Sequence, residues 1–333
     1  MALPKDPMKF VFPMMHDLYE VAREDVNKLD PNALVERLKG IHKGLSAEHE
    51  FAAIASWLGS TRLIVSSDDV LHTDGRYRVP DFLVVVQKGD RDVSFLVEVK
   101  SDADNKLVWT EKYLAAMKRF ADMLGMPLLV AWKWHGMWSL VDVELFEKKT
   151  VAHHLTFDVA MKNNLMSALF GNVFLKIKKG FRLELMLKLL DPEDAASEVL
   201  EDGEHAMQVT DMGLYTYNGR LPKDLTSELF PLIMARSIEP ETECEGKFLR
   251  HIFPGDHENI FNVSELLIAN LSWSQDDDEV DWLAALRNGL PVPIADLRGV
   301  LNRGIEAGAL QYVLEQQPQV VPAFLEGIDL KVR

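Results

Sequence analysis

The stretch of sequence that decides the fold is PDFLVVVQKGDRDVSFLVEVK, residues 80–100. Two apolar runs rich in valine and phenylalanine flank the tetrapeptide KGDR, whose composition is typical of a hairpin turn. We therefore predict two antiparallel strands that turn between Gly89 and Asp90. In that register Asp81 lies opposite Glu98, and cross-strand neighbours of this kind have Cβ atoms about 4.5–5.5 Å apart. A slip of one residue would place the two carboxylates on opposite faces of the sheet.

Charged side chains interrupt the second of these strands. Glu98 and Lys100 project from the same face because strand side chains alternate, and their apolar neighbours indicate a buried strand. Two adjacent carboxylates are costly in an apolar sheet unless a cation separates them. Mg²⁺ takes one or two carboxylates and keeps several waters, and a nearby lysine can orient a metal-bound water. We expect a Mg²⁺ site suited to phosphodiester hydrolysis, with the carbonyl of Val99 as a further ligand. A solvated strand face with an exposed ion pair is the alternative.

The spacing of these residues resembles a known family. PDF, fifteen residues and then EVK is similar to the motif of the PD-(D/E)XK nuclease superfamily, which has the restriction-endonuclease-like fold. The archaeal Holliday-junction-resolvase-like branch is the most similar within it. KGLSAEHE, residues 43–50, resembles the start of that branch's first helix, in which a glutamate follows a glycine by four residues. MKRFADMLGMPLLVAWKW, residues 117–134, resembles its second helix and the following strand, so the resemblance covers about residues 41–145.

The resemblance implies a set of catalytic residues. Asp81 and Glu98 would bind Mg²⁺, with Mn²⁺ expected to substitute, Glu48 would assist them, and Lys100 would be the catalytic lysine. A helical wheel does not choose between Glu48 and Glu50, because they flank the apolar stripe of their helix on opposite sides. The glycine spacing of the resembled branch favours Glu48. Either glutamate is otherwise an ordinary solvated helix residue.

Three more residues are candidate substrate contacts. Lys112 and Tyr113 lie on the helix predicted at 106–124, where some related nucleases place a basic, Gln or Tyr residue near the site. Lys133 lies between two tryptophans on a predicted strand, within reach of a phosphate. The alternatives are a solvated helix face for the first two residues and an ordinary edge-strand lysine for the third.

We predict an α/β chain with a restriction-endonuclease-like mixed β-sheet core flanked by helices, and a smaller, mostly helical C-terminal domain. The second domain is predicted to be winged-helix-like, because its last helix precedes ALQYVLEQQPQVVPAF, which is suited to a two-stranded ribbon. The predicted divisions are a helical extension at 1–40, a nuclease-like domain at 41–190, an acidic linker at 191–205 and an accessory domain at 206–333. These divisions rest on predicted helices and strands. The nuclease-like domain has a helix ending at Leu58, strands at 79–87, 93–100 and 127–134, a helix at 106–124, and a hairpin at 173–190 that turns at Lys179-Gly180. The accessory domain has helices near 222–236, 263–272, 279–288 and 294–307.

Composition limits the classes of protein. The 333 residues are 47% hydrophobic and 26% charged, which is ordinary globular usage. The single cysteine, Cys244, excludes an internal disulfide and fits a reducing compartment. No stretch has the roughly 20 apolar residues of a membrane span, and the N-terminus lacks an apolar signal-peptide core. We therefore expect a cytoplasmic protein that does not contact a membrane.

Charge bears on the substrate. The 36 Lys and Arg residues against 52 Asp and Glu give a net charge of −16, which argues against strong nonspecific binding of nucleic acid. The resemblance nevertheless implies a DNA endonuclease, so we expect a homodimer or a protein partner to supply targeting. Three alternatives stay open: a non-catalytic scaffold of the nuclease fold, a DNA-binding regulatory protein, and the endonuclease subunit of a transposon or defence complex that is active only with its partner.

Overall fold

A computed structural model describes most of the chain from residue 47 onward. The described residues are 47–58, 61–67, 76–189, 207–234, 240–255, 260–273 and 297–331. The predicted extension at 1–40, the linker at 191–205 and the helix near 279–288 lie outside them. No helix among the described residues is long and apolar enough to cross a membrane.

The first half of the described chain builds a mixed sheet and its coverings. Its elements are α1 (47–58), β1 (Thr61–Ser66), β2 (Phe82–Lys88), β3 (Arg91–Ser101), β4 (Lys106–Thr110), α2 (Glu111–Leu124), β5 (Leu128–Trp134), β6 (Met137–Asp142), β7 (Glu147–Lys149), β8 (Ala152–Thr156), α3 (Phe157–Lys162) and α4 (Met166–Phe170). The central sheet has the order β1-β2-β3-β5-β6. Only β3 and β5 run parallel. A second, three-stranded sheet has the order β4-β8-β7.

The predicted hairpin and its register are confirmed. Phe82 pairs with Val97 and Gln87 with Asp92, so the ladder between β2 and β3 is the one expected from a turn at Gly89. Gly89 has a φ of 59°, a left-handed conformation that glycine adopts without steric cost. The same register, continued by one residue, brings Asp81 beside β3.

The central sheet is covered on both faces, which explains why its strands are apolar on both sides. On one face, the ring of Phe51 in α1 lies 5.6–6.1 Å from the rings of Phe82, Trp138 and Phe170. On the other face, α2 packs Met117 and its neighbours against the buried even-numbered residues of β5, such as Trp132. Glu98 and Lys100 therefore lie on the α2 face, and their odd-numbered neighbours face α1.

The helix predicted at 106–124 begins later than expected. Residues 106–110 form β4, in which Leu107 and Trp109 are buried and the residues between and beside them are exposed. α2 begins at Glu111, and the side chain of Thr110 caps it by accepting a hydrogen bond from the N–H of Tyr113 at 3.2 Å. The sequence shows no such alternation, because Leu107, Val108 and Trp109 are consecutive apolar residues.

The second half of the chain adds two further sheets. Its elements are β9 (Phe174–Ile177), β10 (Arg182–Leu189), β11 (Met207–Thr216), β12 (Gly219–Arg220), α5 (Lys223–Met234), β13 (Glu241–Glu245), β14 (Phe248–Pro254), β15 (Ile260–Asn262), α6 (Val263–Trp273), α7 (Leu297–Glu306) and β16 (Leu310–Leu314). The strand orders are β12-β11-β10-β14-β13 and β15-β9-β16. β10 precedes the predicted linker and pairs with strands beyond it, and one hydrophobic cluster includes both Ala47 and Leu330.

Two predictions for this half fail or stay unsupported. The hairpin at 173–190 is wrong, because β9 and β10 enter different sheets: β9 pairs with β15 and β16, and β10 with β11 and β14. Alternation identifies a strand but not its partner, and the partners here are distant in sequence. The winged-helix arrangement is not confirmed, since β16 pairs with β9 and no second ribbon strand follows it among residues 315–331.

The Phe51 cluster generates a stability prediction. Phe51→Ala should lower the free energy of unfolding by about 3–5 kcal/mol, because it leaves a cavity among three aromatic rings. Met123→Ala is the control, since this α2 side chain is 59% exposed and its loss should cost less than about 0.5 kcal/mol. Chemical denaturation of both variants measures the difference. A loss below about 1 kcal/mol in Phe51→Ala would contradict the packing described.

Candidate functional site

The site begins with two carboxylates held side by side. Asp81 directly precedes β2, and its Oδ2 accepts a hydrogen bond from the N–H of Val99 at 2.6 Å. Its carbonyl accepts a second bond from the N–H of Ser67, which extends the pairing of β1 with β2. These bonds fix Asp81 against β3, next to Glu98. The Glu98 side chain is only 1% exposed.

Glu98 is hydrogen-bonded through one oxygen only. Its Oε1 accepts hydrogen bonds from Lys100 Nζ at 2.5 Å and from the hydroxyl of Tyr113 on α2. Its Oε2 is buried and has no hydrogen-bond partner among the described residues. A buried carboxylate oxygen without a partner carries a large desolvation cost. A cation on that oxygen would remove the cost.

Burial and neighbouring charges shift the pKa values of the side chains in this site. Burial and the neighbouring charge of Glu98 raise the pKa of Asp81 to about 7, against the opposing effects of Lys100 and Arg78. Burial and Glu98 also raise the pKa of Tyr113 to about 12. Burial lowers the pKa of Lys100, but the combined attractions of Glu98, Tyr113 and Asp81, together with the hydrogen bond to Glu98, hold that pKa above its ordinary value. Without a cation, Asp81 is therefore partly protonated at neutral pH, whereas Lys100 stays charged.

The donor set fits a hard divalent cation. Asp81 and Glu98 bring two carboxylates together, and one oxygen of Glu98 lacks a protein donor. Mg²⁺ is commonly held by one or two carboxylates, with waters and substrate phosphates in its other positions. The carbonyl of Val99, predicted as a further ligand, accepts a hydrogen bond from Lys100 Nζ at 3.0 Å.

Other candidates from the sequence lie elsewhere. No three acidic, His or Cys side chains of the described residues are placed to hold a metal, so Glu48 does not join Asp81 and Glu98. Glu50 is 3% exposed and forms a separate cluster on the α1 face. Its two oxygens accept hydrogen bonds from Lys133 Nζ at 2.5 Å and from Trp138 Nε1 at 2.8 Å. Lys133 thus faces α1, on the opposite side of the sheet from Glu98.

Of the two candidate substrate contacts on α2, only one lies in the site. Tyr113 is part of the site through its hydrogen bond to Glu98, whereas Lys112 is exposed on α2. Sequence reasoning missed Arg78, whose guanidinium carbon lies 4.4 Å from the centroid of the Tyr113 ring. The only signal for Arg78 in the sequence was its position three residues before Asp81.

The described chain is an α/β structure with mixed sheets, which is compatible with a nuclease-like fold. No protein-family model matches the chain, and no curated protein matches it. Among solved structures, it is similar to Hjc of Archaeoglobus fulgidus, a Holliday junction resolvase from an archaeal hyperthermophile. The identity is 18% and the TM-score 0.25, over 30% of this chain and 80% of that one. Likeness at this level says nothing about the site, so its chemistry is derived from its own residues.

The raised pKa of Asp81 predicts a pH dependence of stability. A carboxyl whose pKa is higher in the folded state binds a proton more tightly there, so its contribution to stability is present at low pH and is lost as pH rises through about 7. In EDTA, wild type should lose about 1–4 kcal/mol relative to Asp81→Asn between about pH 4 and pH 8. Denaturant unfolding at several pH values measures this difference.

The control for the pH experiment is Asp104→Asn, which changes an exposed aspartate in the loop after β3. Its stability should follow wild type at every pH. If Asp81→Asn also follows wild type across the range, the carboxylate pair does not have the electrostatics described.

Proposed function

We propose that the chain is a Mg²⁺-dependent endonuclease that hydrolyses phosphodiester bonds in DNA. The observation that carries the proposal is the buried, unpartnered Oε2 of Glu98 beside Asp81, on the same strand face as Lys100. A structural ion pair accounts for Lys100 and for one oxygen of Glu98, but it leaves Oε2 and the second carboxylate unexplained. A divalent cation accounts for both, and phosphodiester hydrolysis is a reaction that such a site can support.

Each side chain has a role that follows from its contacts. A bound Mg²⁺ would supply Lewis acidity toward the phosphate and would lower the pKa of a water. Asp81 and Glu98 would hold that cation. Tyr113 fixes the orientation of Glu98 through its hydroxyl, and its high pKa keeps it a hydrogen-bond donor. Lys100 is charged, so it would donate hydrogen bonds to the attacking water or to the phosphate rather than accept a proton.

The site is accessible to solvent at Lys100. Glu98 is almost completely buried, whereas the Lys100 side chain is 31% exposed. A phosphate can therefore approach from the Lys100 side, where the partly exposed Asp81 also lies. DNA is the proposed substrate because the resembled nuclease branch acts mostly on DNA. The net charge of −16 supports targeting by a homodimer or a protein partner rather than by general attraction to nucleic acid.

Cleavage assays test the proposal. Wild type and Lys100→Ala are incubated with labelled linear duplex, single strand, supercoiled plasmid, four-way junction and RNA, in Mg²⁺, Mn²⁺ or EDTA. We expect metal-dependent cutting of a DNA substrate, reduced at least about a hundredfold in Lys100→Ala because the donor to the developing charge is lost.

The matched control is Lys162→Ala, which removes a lysine from another acid–lysine pair, formed with Asp158 at 2.7 Å on α3. This variant should cut like wild type. Cutting that persists in EDTA, or in Lys100→Ala, would reject the assigned site. If wild type cuts no substrate in either metal, activity requires a missing partner or the chain is a scaffold.

A further inference from the structure

Arg78 lies at the edge of the candidate site with its backbone fixed and its side chain exposed. Its N–H donates a hydrogen bond to the carbonyl of Ala116 on α2 at 3.2 Å, which ties the segment before β2 to that helix. Its guanidinium carbon lies over the ring of Tyr113, 4.4 Å from the centroid. The hydroxyl of the same tyrosine bonds Glu98. One aromatic side chain thus connects Arg78 to the carboxylate pair.

The contact with the ring leaves the guanidinium with donors for other groups. A guanidinium carries five N–H donors in a fixed planar fork, and a tyrosine ring accepts no more than part of them. No carboxylate of the described residues lies within 4.0 Å of the Arg78 guanidinium. In a chain of net charge −16, this is a local cation whose in-plane donors have no acidic partner among those residues.

We propose that Arg78 binds a backbone phosphate of DNA at the edge of the Asp81–Glu98 site, with the Tyr113 ring as its platform. The inference rests on the proposed function, since it names the group that holds the substrate at that site. The geometry suits a phosphate because the guanidinium fork matches two of its oxygens. It also suits a site in which no third acidic side chain of the described residues joins the two carboxylates, since substrate oxygens commonly complete the coordination of Mg²⁺.

Binding without turnover tests the assignment. The full chain is titrated with fluorescent duplex and single-stranded oligonucleotides in Ca²⁺, and anisotropy is followed at several salt concentrations. Arg78→Ala should bind about tenfold more weakly, and the slope of log affinity against log salt should become shallower by about 1, as for one lost phosphate contact. Arg78→Lys should keep the slope and bind more weakly than wild type, because lysine keeps the charge without the planar fork.

Two further variants separate phosphate binding from general effects. Arg182→Ala is the matched control, because the Arg182 guanidinium stacks on the Tyr215 ring at 4.7 Å, in the sheet that contains β10. This variant should bind DNA like wild type. Tyr113→Leu removes the ring over which the Arg78 guanidinium lies, so it should bind DNA more weakly than wild type. Thermal unfolding checks that every variant is folded. If Arg78→Ala is not folded, the affinity and salt slope of Arg78→Lys test the role of Arg78.

The outcomes distinguish this inference from the proposed function. Three results would each overturn the role of Arg78. Arg78→Ala could bind DNA with the affinity and salt slope of wild type, Arg182→Ala could lose as much affinity as Arg78→Ala, or wild type could fail to bind DNA. If Arg78→Ala binds DNA like wild type while wild type cuts DNA in a metal-dependent manner, the role of Arg78 is rejected and the proposed nuclease function stands. Loss of binding in Arg78→Ala without any cutting by wild type would support the phosphate contact and leave the chain a DNA-binding scaffold or a nuclease that requires a missing partner.

Discussion

The hydrogen bond from the Val99 N–H to the Asp81 carboxylate is the contact on which the site depends. It forms because the β2–β3 hairpin has the register that places residue 81 opposite residue 98. Bringing two carboxylates together beneath a helix has an electrostatic cost, which Lys100 and Tyr113 offset only at one oxygen of Glu98. Under the proposed function, the charge that remains unbalanced would favour a bound cation, so the same feature that opposes folding would favour metal binding.

The two faces of the central sheet differ in how their buried glutamates are hydrogen-bonded. On the α1 face, Glu50 is buried and satisfied by Lys133 and Trp138, and aromatic packing fills the surroundings. On the α2 face, Glu98 keeps one oxygen unsatisfied. Two acidic residues of similar burial thus differ in hydrogen bonding, which is complete for Glu50 and incomplete for Glu98. Strand β3, which is covered on both faces of the sheet, holds Glu98 in position.

The sequence predicted the centre of the site better than its surroundings. The turn chemistry at Gly89 fixes the hairpin register, and the register determines where Asp81, Glu98 and Lys100 lie. Glu48 could not be placed, because helical periodicity gives a face and not a distance to another element. Arg78 lies in irregular chain, where no period exists, and its neighbour Tyr113 comes from a helix that starts five residues later than predicted. The partners of β9 and β10 are likewise distant in sequence, and alternation carries no information about them.

Direct titration with Mn²⁺ or Mg²⁺ by calorimetry tests the central claim, that Asp81 and Glu98 form a cation site. Wild type should bind saturably and release up to about one proton near pH 6, as the metal displaces the proton of Asp81. Asp81→Asn and Glu98→Gln should each bind at least about tenfold more weakly, whereas Glu144→Gln, at an exposed ion pair with Lys118, should bind like wild type. No saturable binding by wild type, or equal binding by all variants, would contradict the account.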